Sequence, residues 1–270
     1  MNAYPDPFPP TWADAWGDDP FGLWAEFEVR DVRQRMRWIE PGEFWMGSPD
    51  DEPERVSSEG PRHRVRISLG FWLADTACTQ ALWQAVMGEN PSHFKGDPQL
   101  PVEQVSWFGA QKFFHRLAAL GLPGADLPTE AQWEYACRAG TQTPFHFGRR
   151  IDSSLVNCEG NYPYAARAKG ESRGRTVPVK SLPANDWGLY QMHGNVWEWC
   201  KDGQRNYESG DESLVDPEGP QGKNDQRALR GGSWSFKAES SRAAYRYSDP
   251  PEFRDRDGGL RFVVRFSRLD

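Results

Sequence analysis

The spacing of apolar residues along this chain changes several times, and each change predicts an element. Arg64-Val65-Arg66-Ile67-Ser68-Leu69 alternates polar and apolar, the period of a strand with one buried face. Upstream, Arg37-Trp38-Ile39-Glu40-Pro41-Gly42-Glu43-Phe44-Trp45-Met46-Gly47-Ser48 predicts a short strand, a Pro-Gly turn and a second strand. The charged run Asp50-Asp51-Glu52-Pro53-Glu54-Arg55 then predicts a solvated loop. Helices are expected from Thr79 to Met87, capped by Thr79 and stopped by Gly88, and from Ser106 to Leu120, ending at Gly121. A third opens at Pro128-Thr129-Glu130, carries the capping box Thr129-x-x-Gln132 and stops at Gly140, with Trp133, Ala136 and Cys137 on its buried face. Beyond residue 140 the pattern is one of loops and short strands, without internal repeats.

Composition turns this sparse pattern into a loop-rich single domain. The 26 Gly and 22 Pro imply many turns, while 13 Trp, 15 Phe and 8 Tyr build a core from few side chains. Residues 1 to about 33, rich in Pro, Asp and Trp, are expected as an arm laid over a domain spanning 34–270. A net charge of −7 and the lack of a basic run argue against nucleic-acid binding. No segment approaches the ~20 apolar residues of a membrane span, and the N-terminus has no secretory pattern, so a cytoplasmic location is expected. Cys78, Cys137, Cys158 and Cys200 form no C-x-x-C pair and are expected as buried thiols; a Cys158–Cys200 disulfide stays open for an exported protein.

Five separated motifs then agree with one family. They are Gly42-x-Phe44-x-Met46-Gly47-Ser48; Val102-x-x-Val105-Ser106-Trp107; Leu127-Pro128-Thr129-Glu130-Ala131-x-Trp133-Glu134-Tyr135-Ala136; Gly188-Leu189-Tyr190-x-Met192-x-Gly194-Asn195-Val196-Trp197-Glu198-Trp199; and Arg230-Gly231-Gly232-Ser233-Trp234. Together they cover residues 36 to 265, and in this order the chain resembles the formylglycine-generating enzyme (sulfatase-modifying factor) superfamily. The resemblance implies an α+β fold, a single C-type-lectin-like domain with little regular secondary structure. Fold alone does not carry function, which has to be argued from the site.

In the copper-dependent oxidases of that superfamily two cysteines follow the Gly-Gly-Ser motif as metal thiolates. Here the matching positions are Phe236 and Ser241, and neither side chain substitutes for a soft thiolate toward Cu(I), so no copper is expected. The iron-dependent members draw their metal from a His-rich partner domain, whereas His63, His93, His115, His146 and His193 are scattered, with His193 read as a hydrogen-bonded structural residue. The resemblance also implies structural calcium, one set of ligands being Asn161, Tyr162, Glu171 and Arg173 and another Gln191, Gly194, Val196 and Glu198. The competing reading is that Glu198 and Asn161 tie loops together by hydrogen bonds.

Between Trp234 and Asp257 the chain mixes aromatic anchors, small hydroxyl residues, arginines and acids, a composition suited to recognition. It resembles the variable C-terminal surface (about 230–263 here) of the diversity-generating retroelement proteins in the same superfamily. The expected ligand-binding residues are Trp234, Ser235, Phe236, Ser240, Tyr245, Tyr247, Asp249, Phe253, Asp255 and Asp257, with Arg230, Arg246 and Arg261 belonging to the frame. The function expected is therefore a non-catalytic module binding a protein or a small polar ligand. The alternative is a metal-dependent oxidase or siderophore-maturation-type enzyme working without the usual cysteines.

Overall fold

Strand pairing is local at the N-terminal end of the chain and long-range elsewhere. The computed structural model describes residues 4–210, 212–222 and 225–265, so the extreme ends of the expected arm and domain lie outside the described residues. Strands β1 (Ala15–Asp19), β2 (Gly22–Val29), β3 (Val32–Ile39), β4 (Gly42–Met46), β5 (His63–Ile67) and β6 (Phe71–Ala74) come first. Helices α1 (Gln80–Met87) and α2 (Trp107–Ala119), strand β7 (Ala125–Asp126) and helix α3 (Glu130–Arg138) follow. The rest are short: β8 (Trp197–Trp199), β9 (Leu214–Val215), β10 (Arg227–Arg230), β11 (Tyr247–Asp249), β12 (Gly258–Gly259) and β13 (Val263–Arg265). They assemble into a six-stranded sheet β1-β2-β3-β6-β13-β7, a four-stranded sheet β11-β10-β8-β12 and a three-stranded sheet β4-β5-β9, an α+β arrangement.

The helices start where capping chemistry places them. Thr79 accepts from the Leu82 amide, Ser106 from Gly109 and Thr129 from Gln132, whose side chain returns a bond to the Thr129 amide. The third helix ends one residue early, on Ala139 in the left-handed region (φ 44°), before Gly140 takes the same sense of turn.

One expectation is corrected. Residues 15–29 are not an irregular arm, because β1 and β2 form an antiparallel hairpin and β2 pairs in turn with β3. A domain boundary at 33/34 would fall within the β2–β3 hairpin; ahead of β1, Phe8 and Trp12 pack against Trp72 at 6.3 and 5.7 Å. The two strands expected on either side of Pro41 are present, and they join different sheets: β3 pairs with β6, whereas β4 pairs with β5, so the chain changes sheet at that turn.

One apolar cluster joins the large sheet to α1 and α2 through Met36, Trp72, Leu82, Phe113 and Phe262. A second joins β4 and β5 to α3 through Met46, Val65, Trp133 and Ala136. Between α3 and the C-terminal segment runs a lattice of buried ions. Arg246 grips both oxygens of Glu130 at 2.7 Å, Arg230 reaches Glu130 at 3.1 Å and Glu134 at 2.5 Å, and Arg138 holds Glu134 at 2.7 Å. Arg242 reaches Glu52 at 2.8 Å and both oxygens of Glu59 at 2.6 and 2.7 Å. Burial works against ionisation of Glu134, but Arg138 and Arg230 prevail and hold its carboxyl below the usual range.

Removing one partner from such a lattice leaves an uncompensated buried charge, so Glu130→Ala should destabilise the protein by about 3–5 kcal/mol in urea unfolding. Arg33→Ala, which breaks an exposed pair with Glu28, should leave the midpoint unchanged. Because Glu134 is depressed in the folded state, its stabilising share is complete above the ordinary glutamate pKa and is lost as pH falls through the lowered value. Acid titration of stability should therefore be less steep in Glu134→Gln than in the parent.

Candidate recognition site

Strand alternation organises the site. Trp197 and Trp199 of β8 share one face and Glu198 takes the other. Glu198 points to the interior, accepting from the Trp133 indole at 2.7 Å and from the Arg261 guanidinium through both oxygens at 3.0 to 3.1 Å. On the opposite face the Trp197 ring gathers three side chains of the C-terminal segment. Tyr247 stacks on it at 5.3 Å, Phe236 meets it edge-on at 5.3 Å and Tyr245 lies at 6.1 Å. These three are half-buried, Trp197 itself is buried, and its indole N–H has no hydrogen-bond partner among the described residues. Aromatic clusters of this kind offer large rigid area, and an unsatisfied buried donor is a cost that a bound acceptor or water relieves.

Carboxylates rim the cluster. Asp257 is buried, accepts from Ser233 at 2.8 Å and Ser235 at 2.6 Å, and lends its carbonyl to the Trp197 amide. Asp249 lies opposite Arg227 across β10 and β11, yet that guanidinium is directed to the carbonyls of Pro220, Gln221 and Gly222 and over the Trp107 ring. Burial, with Asp257 and Asp255 nearby, pushes the Asp249 carboxyl up to about 6. Burial also raises Asp257, against the hydrogen bonds from Ser235 and Ser233.

The expected binding residues thus divide. Phe236, Tyr245, Tyr247, Asp249 and Asp257 converge, while exposed Ser235 and Asp255 lie at the margin, and exposed Phe253 sits on the turn that follows β11. Trp234 and Ser240 are taken up by the fold instead: Trp234 is buried against Phe94 and donates to the Arg256 carbonyl, and the buried Ser240 hydroxyl closes a turn on Lys237. Trp197 was not among the expected contacts, although its alternation with Glu198 was visible in the Val196-Trp197-Glu198-Trp199 motif.

Phe236 and Ser241 diverge. Phe236 joins the face, whereas Ser241 is sealed inside, its carbonyl accepting from His193 Nδ1 at 2.6 Å. His193 also receives the His146 amide on Nε2 at 3.1 Å, so both ring nitrogens are engaged, and burial depresses its pKa well below the ordinary value. Cys137 Sγ lies 3.7–3.8 Å from the same ring, but burial raises its pKa and keeps it a thiol. These residues do not fit a copper thiolate centre. All four cysteines are buried and free.

The expected calcium ligands are partly engaged by the protein itself. The Glu198 carboxylate bonds Arg261 and Trp133, and the Gln191 amide bonds Pro178 and Asn195. In the other set the Asn161 amide turns to Glu159, the Tyr162 carbonyl accepts from Ala238 and Glu171 pairs with Arg173. Among the described residues no cluster of three His, Cys, Asp or Glu side chains could hold a metal.

Fold and motifs together define a formylglycine-generating-enzyme-like, C-type-lectin-like domain. Residues 21–266 match the Sulfatase-modifying factor enzyme 1-like domain, and the chain belongs to that family. It is 34% identical over 225 residues to the formylglycine-generating enzyme of Streptomyces coelicolor, covering 78% of this chain and 69% of that one. It spans 22% to 41% of the length of several other curated relatives. Among solved structures, Treponema denticola variable protein 1 aligns with a TM-score of 0.75 at 27% identity over 90% of this chain and 99% of that one. PvdO from Pseudomonas aeruginosa aligns with a TM-score of 0.75 at 25% identity over 92% and 99%.

Because the Glu198 carboxylate is held by Arg261 and Trp133, Glu198→Gln should lower the melting temperature more than chelation of the parent protein does. Thermal melts with and without EDTA check this; a larger drop on chelation would restore calcium as the anchor.

Proposed function

We propose that this chain is a non-catalytic binding module whose C-terminal segment recognises a protein or a small polar ligand through the Trp197 face, in the manner of a diversity-generating retroelement variable protein. One observation carries the reading: where the copper oxidases place their thiolates, Phe236 packs on Trp197 and Ser241 is sealed against His193. The likeness to variable protein 1 over nearly the whole of both chains supports it. The 34% identity to the formylglycine-generating enzyme of Streptomyces coelicolor keeps an enzyme of the same scaffold as the second reading. Purified protein should carry less than about 0.1 equivalent of copper or iron by elemental analysis, whereas stoichiometric metal with oxygen consumption would favour the enzyme. A near-copy of the 230–263 coding segment beside a reverse-transcriptase gene would mark the segment as diversified.

The rim gives the partner a charge. Arg242, Arg246 and Arg261 are turned inward onto glutamates, and exposed Arg256 lies over Trp234, while Asp249, Asp255 and Asp257 gather near Tyr247. Aromatic rings and carboxylates together favour a guanidinium or ammonium group. Above about pH 6 Asp249 is charged; as pH falls through that value it is neutralised and the attraction declines. An oligo-arginine peptide, followed by anisotropy, should bind roughly tenfold more weakly at pH 5 than at pH 7.5, and Asp249→Asn should reproduce the loss at pH 7.5. Equal affinity for an oligo-glutamate peptide would overturn the assignment.

A further inference from the structure

The segment 149–175 departs from the rest of this acidic chain. It carries Arg149, Arg150, Arg167, Lys169, Arg173 and Arg175 against Asp152, Glu159 and Glu171, in a protein whose net charge is −7. Part of it folds around a cleft of about 260 Å³ lined by Arg150, Arg167 and Lys169, with Cys158 and Ala238 also contributing to its lining. Among the described residues none of these three cations has an ion-pair or hydrogen-bond partner. Of the acids lining the cleft, Glu171 pairs with Arg173 at 3.3 Å, whereas Asp152 accepts the Ser154 amide at 2.8 Å and keeps its charge, so three cations face one unpaired carboxylate.

The loop carrying Arg167 and Lys169 is held in an uncommon backbone shape. Ala165 and Ala166 both have left-handed φ, 53° and 54°, a region that crowds the β-carbon of a non-glycine residue. Contacts from afar hold it there, Glu54 accepting the Ala165 amide at 2.9 Å and Pro53 accepting the Tyr164 hydroxyl at 3.1 Å. At its far end Gly170 donates to Gly160, an approach that a β-carbon on Gly160 would block at 2.4 Å from the Glu171 carbonyl. A strained loop fixed at both ends, presenting uncompensated cations to a concave surface, focuses positive potential where a flexible solvated loop would disperse it.

We propose that this cleft binds a tetrahedral oxyanion of the phosphate or sulfate type, with Arg150, Arg167 and Lys169 as its ligands. Its chemistry is opposite to that of the Trp197 face, so the two assignments stand or fall separately. Calorimetric titration of the full chain at constant ionic strength would use inorganic phosphate, inorganic sulfate, O-phosphoserine, acetate and calcium chloride as probes. Saturable binding of phosphate or sulfate with Kd of about 1 mM or tighter, and none of acetate, is expected. Tighter binding of O-phosphoserine than of phosphate identifies the anion as one carried on a partner; the reverse identifies a free ion. Arg167→Glu combined with Lys169→Glu should weaken binding at least about tenfold. Both positions are exposed, so the melting temperature should stay unchanged. Arg150→Gln, a milder change, should give a smaller loss in the same direction. Absence of phosphate and sulfate binding, unchanged affinity in the charge-reversed variant, or stoichiometric calcium binding in place of the anion would overturn the proposal.

Discussion

The constraint on which the rest of this structure depends is the burial of arginine–glutamate pairs between α3 and the C-terminal segment. Glu130 and Glu134 lie on one helix, and the arginines that reach them, Arg230 and Arg246, come from about a hundred residues later. Glu52 and Glu59 are bound from still farther away by Arg242. Such pairs are poor sources of net stability, because desolvation offsets most of the attraction. Their value lies in exclusion. A segment that is mostly loop has few backbone ladders to fix its path, and any register that leaves one of these charges unpaired is strongly penalised.

That constraint also decides what the surface can recognise. Arg246 and Arg261, expected as frame, are consumed by the interior, and Arg242 joins them there. Arg254 and Arg256 stay exposed beside Asp255, so the outer charge of the segment is mixed, with Asp249 half-buried and Asp257 buried against Ser233 and Ser235. The same logic separates Phe236 from Ser241. The carbonyl of Ser241 is a fixed acceptor for His193, which pulls that position inward, while Phe236 is five residues away on the outer side of the turn. A thiolate pair would require the two positions to face one site; here they serve two.

What the sequence made legible was chemistry closed over a few residues. The helix starts at Thr79, Ser106 and Thr129 follow from a side-chain oxygen meeting an amide three residues on, and all three were readable. The β2–β3 hairpin was not. Its turn places Arg30 and Asp31 both at positive φ, 49° and 64°, without the Asn-Gly or Asp-Gly pair that normally signals such a turn. The β1–β2 hairpin carried a better signal in Asp19-Pro20-Phe21-Gly22, where the Asp19 carboxylate accepts the Phe21 amide, but its tryptophans suited a packed arm equally well. The switch of sheets at Pro41 depends on partners, β5 and β6, that no local pattern specifies. In the site the expected aromatic and acidic contacts did converge, yet Trp197, around which they gather, lay hidden in a motif that read as frame.

The turn after Phe236 connects the two chemistries of the molecule. Phe236 lends its carbonyl to the Glu159 amide at 2.8 Å, and Ala238 donates to the Tyr162 carbonyl, so the back of this turn is fastened to the basic segment while its front packs on Trp197. Lys237, between them, lies over the Tyr162 ring at 5.4 Å. An acidic aromatic face and a basic cleft are therefore separated by one short stretch of chain. Charge of opposite sign on either side of a single turn cannot neutralise itself through side-chain contact while the backbone bonds hold the two sides apart. Each side keeps its own side-chain chemistry, and the backbone bonds on the back of the turn do not depend on which side chains its front presents.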